Sequence, residues 1–179
     1  MSRVGGMLSE RAARFQRYHG GMTSLLLGPR EAAAVADHLG RAHPEEGCGL
    51  LLGREHDGVR QVREVVALDN DRPDSRRDRY AIAPERFLEA EKRAREAGLE
   101  VLGFFHSHPD RPAEPSRFDL ENAWPYYSYL IASVARGRVV EMRCWRLAGD
   151  GSRFDPERLI LEPELGGDDP APGREGDME

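Results

Sequence analysis

Residues 101–119 read VLGFFHSHPDRPAEPSRFD, which combines an apolar run, two histidines, a proline-rich loop and the start of a helix. The apolar run before His106 is typical of a buried strand. His106 and His108 are two residues apart, so on a strand their side chains point to one face and can converge on one ion. Ser116 is a natural helix N-cap, which puts Asp119 in the first turn of the following helix. Two histidines and one carboxylate, with a fourth position open, are typical of a catalytic zinc site.

Two other interpretations of the same residues are weaker. His106 and His108 could be ordinary polar residues at a strand end, with Asp119 a surface carboxylate, but the strand, cap and helix signals agree at independent positions. Cys48 could be a protease nucleophile with His43 or His106 as its base, but this would leave the His-x-His and Asp set without a role. A base deaminase would need a Cys-x-x-Cys pair, which the sequence lacks.

Residues 44–53, PEEGCGLLLG, offer the proton acceptor that a metal hydrolase needs beside its water, with Glu45 and Glu46 as candidates. The pattern Pro-x-Glu-x-Cys-Gly-Leu-Leu-x-Gly, then His-Ser-His-Pro, six residues and Ser-x-x-Asp, resembles the zinc-dependent JAMM (MPN-plus, Mov34) peptidases. The resemblance covers about residues 23–147. Its segments 80–84 and 127–134 look most like the small prokaryotic branch that acts on ubiquitin-like sulfur carriers.

The resemblance implies a role for each position that matches the family pattern. It implies zinc binding by His106, His108 and Asp119, general acid/base catalysis by Glu46, and stabilisation of the tetrahedral oxyanion by Ser116. Glu46 is preferred because it is the second residue after Pro44 and lies seven before Gly53, as the family pattern requires, so Glu45 is expected to be a solvated neighbour. The implied cofactor is Zn²⁺, although another divalent ion would tolerate the same ligands.

The resemblance also implies a fold and a reaction. The expected fold is an α/β, cytidine-deaminase-like sandwich with a central mixed β-sheet flanked by helices. The expected reaction is hydrolysis of the peptide or isopeptide bond after the C-terminal Gly-Gly of a ubiquitin-like or sulfur-carrier protein, releasing either cysteine for cysteine biosynthesis or a lysine side chain. A general deconjugating isopeptidase, a small-peptide amidase and a non-catalytic MPN scaffold are the alternatives.

Hydrophobic patterning predicts the remaining elements. Apolar spacing with a proline at the start favours two helices, over residues 29–40 and 84–98. Runs of apolar and β-branched residues favour strands beside the histidine strand, over residues 47–53, 58–68, 128–134 and 139–147. The polar stretch 69–79 is long enough to be a functional loop. By the resemblance, it is the first candidate for contact with the partner's extended tail.

Composition separates the ends of the chain from its body. Residues 162–179 hold seven acids and one base, which accounts for the net charge of −6. The body, residues 23–161, is expected to be the catalytic domain, with a leader over 1–22 and a disordered acidic tail after it. No net basic field favours nucleic acid, and no signal-peptide or membrane segment is evident. Two cysteines, Cys48 and Cys144, suggest a cytoplasmic protein, and a homodimer is left open.

Overall fold

The structure, a computed structural model, describes residues 23–163. The predicted leader lies outside the described residues, as does the predicted tail apart from Glu162 and Pro163. Within this range the strands are β1 Ser24–Leu27, β2 Cys48–His56, β3 Val59–Leu68, β4 Glu100–Pro109, β5 Ser128–Ala135, β6 Arg138–Leu147 and β7 Phe154–Leu161. The helices are α1 Pro29–Ala42, α2 Pro84–Glu96 and α3 Arg117–Asn122. None of these helices is long and apolar enough to cross a membrane.

The strands form one mixed sheet in the order β1-β3-β2-β4-β5-β6-β7. β1 is parallel to both β3 and β7, β4 is parallel to β5, and the other pairs are antiparallel. The mixed sheet with helices was predicted. The predicted sandwich differs from the structure, because β1 pairs with both β3 and β7 and closes the sheet into a barrel. Closure gives the backbone groups of β3 and β7 a partner strand that an open sheet would leave unpaired.

Two hydrophobic clusters, one on each face of the sheet, hold the helices in place. Along β2, Leu51 belongs to the cluster that includes Val35 and Leu39 of α1. Its neighbours Leu50 and Leu52 belong to the cluster that includes the small residues of α2. Alternate side chains of a strand point to opposite faces, so β2 is buried on both sides. β2, which pairs with the strand that carries both histidines, is therefore packed against a helix on each face.

β4 carries the two histidines beyond the point where its neighbour β2 begins. Cys48, the first residue of β2, pairs with His106, whereas His108 pairs with Ser133 on the other side, in β5. Pro109 is the last residue of β4, as expected for a residue that cannot donate to the ladder. The histidines thus lie at one end of the barrel, where β2, β4 and the loops that follow them meet.

Candidate active site

The structure brings together the three side chains that the sequence nominated as metal ligands. His106 Nε2 lies 3.2 Å from His108 Nε2 and 3.2 Å from Asp119 Oδ1. His108 Nε2 lies 3.4 Å from Asp119 Oδ2. All three residues are buried, and together they form a group whose donor atoms could hold one metal ion. Residues separated by thirteen positions therefore meet at one point.

Contacts behind these ligands fix their orientation. His108 Nδ1 lies 3.0 Å from the carbonyl oxygen of Pro112, which can only accept, so Nδ1 carries the proton and Nε2 presents its lone pair to the site. Tyr80 stacks on the His106 ring with centroids 4.6 Å apart. Ser116 is the N-cap of α3, and its hydroxyl donates to Asp119 Oδ2 at 2.6 Å while accepting from the Asp119 backbone N–H at 3.1 Å.

This donor set fits a zinc ion. The ligand atoms of a four-coordinate ion with bonds of about 2.0–2.1 Å lie about 3.3–3.4 Å apart, close to the separations observed here. Burial lowers the pKa of His106 and favours the neutral imidazole that a metal requires. Burial alone would raise the pKa of Asp119, but the neighbouring His106 ring and hydrogen bonds from His106, His108 and Ser116 hold this pKa well below its usual range. His106 and Asp119 are thus shifted toward the forms that bind a metal ion.

Glu46 is a buried carboxylate beside the ligand group. Its side chain is 2% exposed, and its only ion-pair partner among the described residues is Arg111, whose Nη2 lies 3.1 Å from Glu46 Oε1. Burial raises the pKa of Glu46 to about 8, with a further contribution from the charge of Asp119, although Arg111 acts in the opposite direction. A carboxyl group with a pKa close to neutrality suits a group that takes a proton and returns it.

Glu45, the competing base, is placed differently. Its side chain is 48% exposed and its Oε2 lies 3.5 Å from Arg76 Nη1. It therefore faces solvent and the loop that follows β3, whereas Glu46 faces inward. The next residue, Gly47, donates its backbone N–H to the buried Ser107 hydroxyl at 2.9 Å. The chain therefore enters the buried strand β2 immediately after Glu46.

The polar loop 69–79 lies against the backbone of Glu46. Glu46 N–H donates to the Arg76 carbonyl at 2.6 Å. The Asn70 amide donates to the carbonyls of Glu46, at 3.1 Å, and Arg79, at 2.9 Å. The loop predicted to contact a partner is therefore built onto the residue predicted to be the base, and its position is set by backbone hydrogen bonds rather than by surface charges alone.

The arginines of this loop also reach the helix that carries Asp119. The guanidinium groups of Arg72 and Arg79 lie 5.6 and 5.2 Å from the centre of the Phe118 ring. Phe118 directly precedes Asp119, so these cation–π contacts connect the loop to α3. The loop 69–79, Glu46 and the helix that carries Asp119 are consequently packed together.

Two residues at the site, Arg111 and Tyr80, were given no role from the sequence, and Asn70 was included only as part of the loop 69–79. Tyr80 and Asn70 follow β3 and are brought in by the fold of the loop. Arg111 meets Glu46 across 65 positions of sequence, and a single arginine in a loop carries no signal for such a pairing. The position of Asn70, two residues after the end of β3 and at the start of a long loop, was the available hint, because loops held by a rigid scaffold commonly carry site residues.

The two cysteines do not form a nucleophilic site. The Cys48 thiol points to the carbonyls of Leu68 and Asp69, and the Cys144 thiol to the Glu157 carboxylate. Burial raises the pKa of the Cys48 thiol to about 12. A catalytic cysteine needs a depressed pKa and a nearby base, so the environment of Cys48 is that of a packed thiol.

Comparison with known proteins gives consistent matches. The family described as prokaryotic homologs of the JAB domain matches residues 29–148. A probable TtuB-protein conjugate cleaving protease from Thermus thermophilus is 37% identical over 64% of this chain and 72% of its own length. A CysO-cysteine peptidase from Mycobacterium tuberculosis is 26% identical over 71% of this chain and 85% of its own. The solution structure of protein DSY2949 from Desulfitobacterium hafniense has a TM-score of 0.68 and 35% identity, covering 79% of this chain and 95% of that one.

Proposed function

Because the chain belongs to the prokaryotic homologs of the JAB domain and is a JAMM-type peptidase, we propose that it hydrolyses the bond after the C-terminal Gly-Gly of a ubiquitin-like or sulfur-carrier protein. The observation that carries the proposal is the convergence of His106, His108 and Asp119 beside the buried carboxylate of Glu46. A non-catalytic scaffold would have no need for a complete ligand set with a buried base beside it. The names of the relatives, a conjugate-cleaving protease and a CysO-cysteine peptidase, support the substrate class.

His106, His108 and Asp119 would hold the zinc ion, which when bound supplies Lewis-acid activation of a water molecule whose pKa falls to roughly 7. Glu46 would take a proton from the attacking water as the water oxygen adds to the glycine carbonyl carbon. The same carboxyl group would then pass the proton to the leaving nitrogen as the C–N bond breaks. Water is thereby divided between the two products, with hydroxyl on the glycine and hydrogen on the amine.

Ser116 would act on the substrate oxygen. In the present arrangement its hydroxyl proton is directed to Asp119 Oδ2 at 2.6 Å. Rotation about one side-chain bond redirects the proton toward a carbonyl oxygen that becomes negative during attack, while the backbone N–H of Ser116 still donates to Asp119 at 2.7 Å. A single donor to such an oxygen contributes about 3–4 kcal/mol to the transition state.

An extended tail ending in two glycines suits this site for a steric reason. His106, His108 and Glu46 are all almost fully buried, so a scissile carbonyl can reach them only if its own backbone approaches closely. Glycine permits this approach because it has no Cβ. The loop 69–79, which is anchored to Glu46, is the proposed contact for the tail that precedes the glycines.

The test uses the zinc-loaded protein, intact-mass spectrometry and two substrates. One is a sulfur carrier ending Gly-Gly-Cys, and the other is the same carrier linked through Gly-Gly to a lysine ε-amine. The Glu46→Gln variant should retain zinc, measured by elemental analysis, and lose turnover by at least about 100-fold. The matched control is Glu45→Gln, which changes the exposed neighbouring carboxylate and should retain near-normal turnover.

Two outcomes would contradict parts of the proposal. Near-normal rates in Glu46→Gln would show that the base is assigned wrongly. Inertness of the zinc-loaded wild type toward both substrates would contradict the carrier class and favour a small-peptide amidase. The homodimer, which the sequence leaves open, is a separate question that light scattering would answer without affecting the reaction.

A further inference from the structure

Arg111 occupies the entrance to the buried base. Its side chain is 42% exposed, whereas the Glu46 side chain that it contacts is 2% exposed. The Arg111 side chain is therefore partly open to solvent while its Nη2 contacts Glu46. A guanidinium has five N–H donors, and the Glu46 contact at 3.1 Å is made by Nη2, so the other nitrogens remain available to a second acceptor. The mechanism proposed above does not use this residue.

The backbone on both sides of Arg111 is held in place. Asp110 N–H donates to the Val134 carbonyl at 2.8 Å, which continues the pairing of β4 with β5 by one residue. The Pro112 carbonyl accepts from His108 Nδ1 at 3.0 Å, so the loop is tied to a metal ligand one residue later. The side chain of Arg111 therefore starts from a fixed stretch of backbone, and its contact with Glu46 directs it toward the site.

The chemistry of the leaving group decides what these donors can recognise. When the leaving nitrogen belongs to a free amino acid, its carboxylate oxygens lie only about 3 Å from that nitrogen. Because Glu46 must come within about 2.6–3.2 Å of the same nitrogen to protonate it, the carboxylate lies about 6 Å or less from Glu46. This is the region that Arg111 occupies. A lysine linked through its ε-amine carries no charged group near the scissile nitrogen.

We infer that Arg111 binds the free α-carboxylate of the leaving amino acid, so that the site favours carriers extended by one C-terminal residue over carriers conjugated to lysine. The planar fork of arginine matches a carboxylate with two parallel hydrogen bonds. The partial exposure of Arg111 allows the substrate carboxylate to enter from solvent. The positive charge of Arg111 offsets the negative charge of Glu46, so a second carboxylate can bind beside it. This inference rests on the proposed function and specifies its leaving group.

The test compares a carrier ending Gly-Gly-Cys with the same carrier ending in cysteine amide, which lacks only the negative charge. In the zinc-loaded wild type, kcat/KM for the acid should exceed that for the amide by about 10- to 100-fold, the range for a charge-assisted hydrogen bond. In Arg111→Gln this ratio should fall to about 1. Because Arg111 contacts Glu46, the substitution can also lower kcat/KM for both substrates equally. The ratio of the two values cancels this common loss.

Two further measurements protect the test against a purely structural effect. Arg117→Gln is the matched control, because Arg117 is 91% exposed and pairs with Glu121 in its own helix, and this variant should keep the wild-type ratio. Binding of acid and amide to the inactive Glu46→Gln protein, measured by calorimetry, should show the same preference without turnover. Substituting Arg111→Gln in that background should abolish the preference.

The outcomes separate this inference from the proposed function. If the wild type cleaves acid and amide equally well, Arg111 does not bind the carboxylate, and the proposed carrier peptidase activity is unaffected. If Arg111→Gln keeps the wild-type preference for the acid, another residue binds the carboxylate and the inference is wrong. If the wild type cleaves neither carrier nor the lysine conjugate, the proposed function fails, and the inference fails with it.

Discussion

Replacing Asn70 with alanine should destabilise the protein more than any other single truncation in the loop beside the base. The Asn70 side chain makes four hydrogen bonds: it donates to the carbonyls of Glu46 (3.1 Å) and Arg79 (2.9 Å), and it accepts from the N–H groups of Arg72 (3.1 Å) and Ala81 (3.2 Å). Each such bond contributes about 0.5–1.5 kcal/mol net. The loop groups can recover part of this from water, whereas the carbonyl of the buried Glu46 cannot. We therefore expect a loss of about 2–4 kcal/mol.

Urea unfolding of the purified variant measures this loss directly, and a thermal scan should show a fall in Tm of about 5–15 °C. Asn122→Ala is the matched control. The Asn122 amide makes one exposed hydrogen bond, to the Phe118 carbonyl at 2.8 Å, so its removal should change the free energy of unfolding by less than about 1 kcal/mol. If Asn70→Ala unfolds within about 0.5 kcal/mol of the wild type, the loop is not held by this amide, and the reasoning from hydrogen bonds is refuted.

Metal removal should abolish activity, and added zinc should restore it and raise Tm, because a ligand that binds only the folded state stabilises that state. Asp119→Asn should bind less zinc by elemental analysis, and unchanged zinc content would remove Asp119 from the ligand set. Native protein at pH 8 should not react with a thiol reagent, because burial raises the pKa of Cys48 to about 12 and that of Cys144 well above its usual value. Rapid labelling of the native protein at pH 8 would contradict this burial. Since the folded-state pKa of Cys48 exceeds the ordinary value of 9.0, the contribution of this thiol to the free energy of unfolding should fall as pH rises from 9.0 toward 12. Gly49→Ala should cost about 1–3 kcal/mol in urea unfolding, because a Cβ there would lie 2.3 Å from a β3 carbonyl and 2.4 Å from the Phe105 ring, and wild-type stability would show that the strands can separate.

The sequence predicted the central elements well because they carry strong local signals. Helix α1 begins at Pro29, as expected for a proline at the first helical position, and Ser116 caps α3 as expected from its hydroxyl. The alternation of side chains along a strand predicts that His106 and His108 share one face, and their Nε2 atoms do meet at 3.2 Å. These features depend on residues within a few positions of each other, which is the range over which sequence patterns operate.

The elements that were missed depend on distant partners. β1 is only four residues long, and β7 contains Pro156 and several charged residues, so neither has the pattern of a strand. Each supplies hydrogen-bonding partners to the other along a parallel pair, in which Leu25 pairs with Leu159 and Leu27 with Leu161. The same limitation explains the predicted sandwich, because closure of the sheet depends on β1 pairing on both sides. The pairing of Arg111 with Glu46 is likewise a tertiary contact without a local signature.

The closing strand pair sets the order in which this protein can finish folding during synthesis. β1 is made near the start of the described chain, but one of its two neighbours, β7, ends at Leu161. Until β7 has left the ribosome, β1 and β6 each present an unpaired edge to other nascent or partly folded chains, and such edges favour association. Contacts of this sequence separation also slow folding. The end of the barrel that carries His106 and His108 therefore depends, for its assembly without association in the cell, on a strand that contributes none of its side chains.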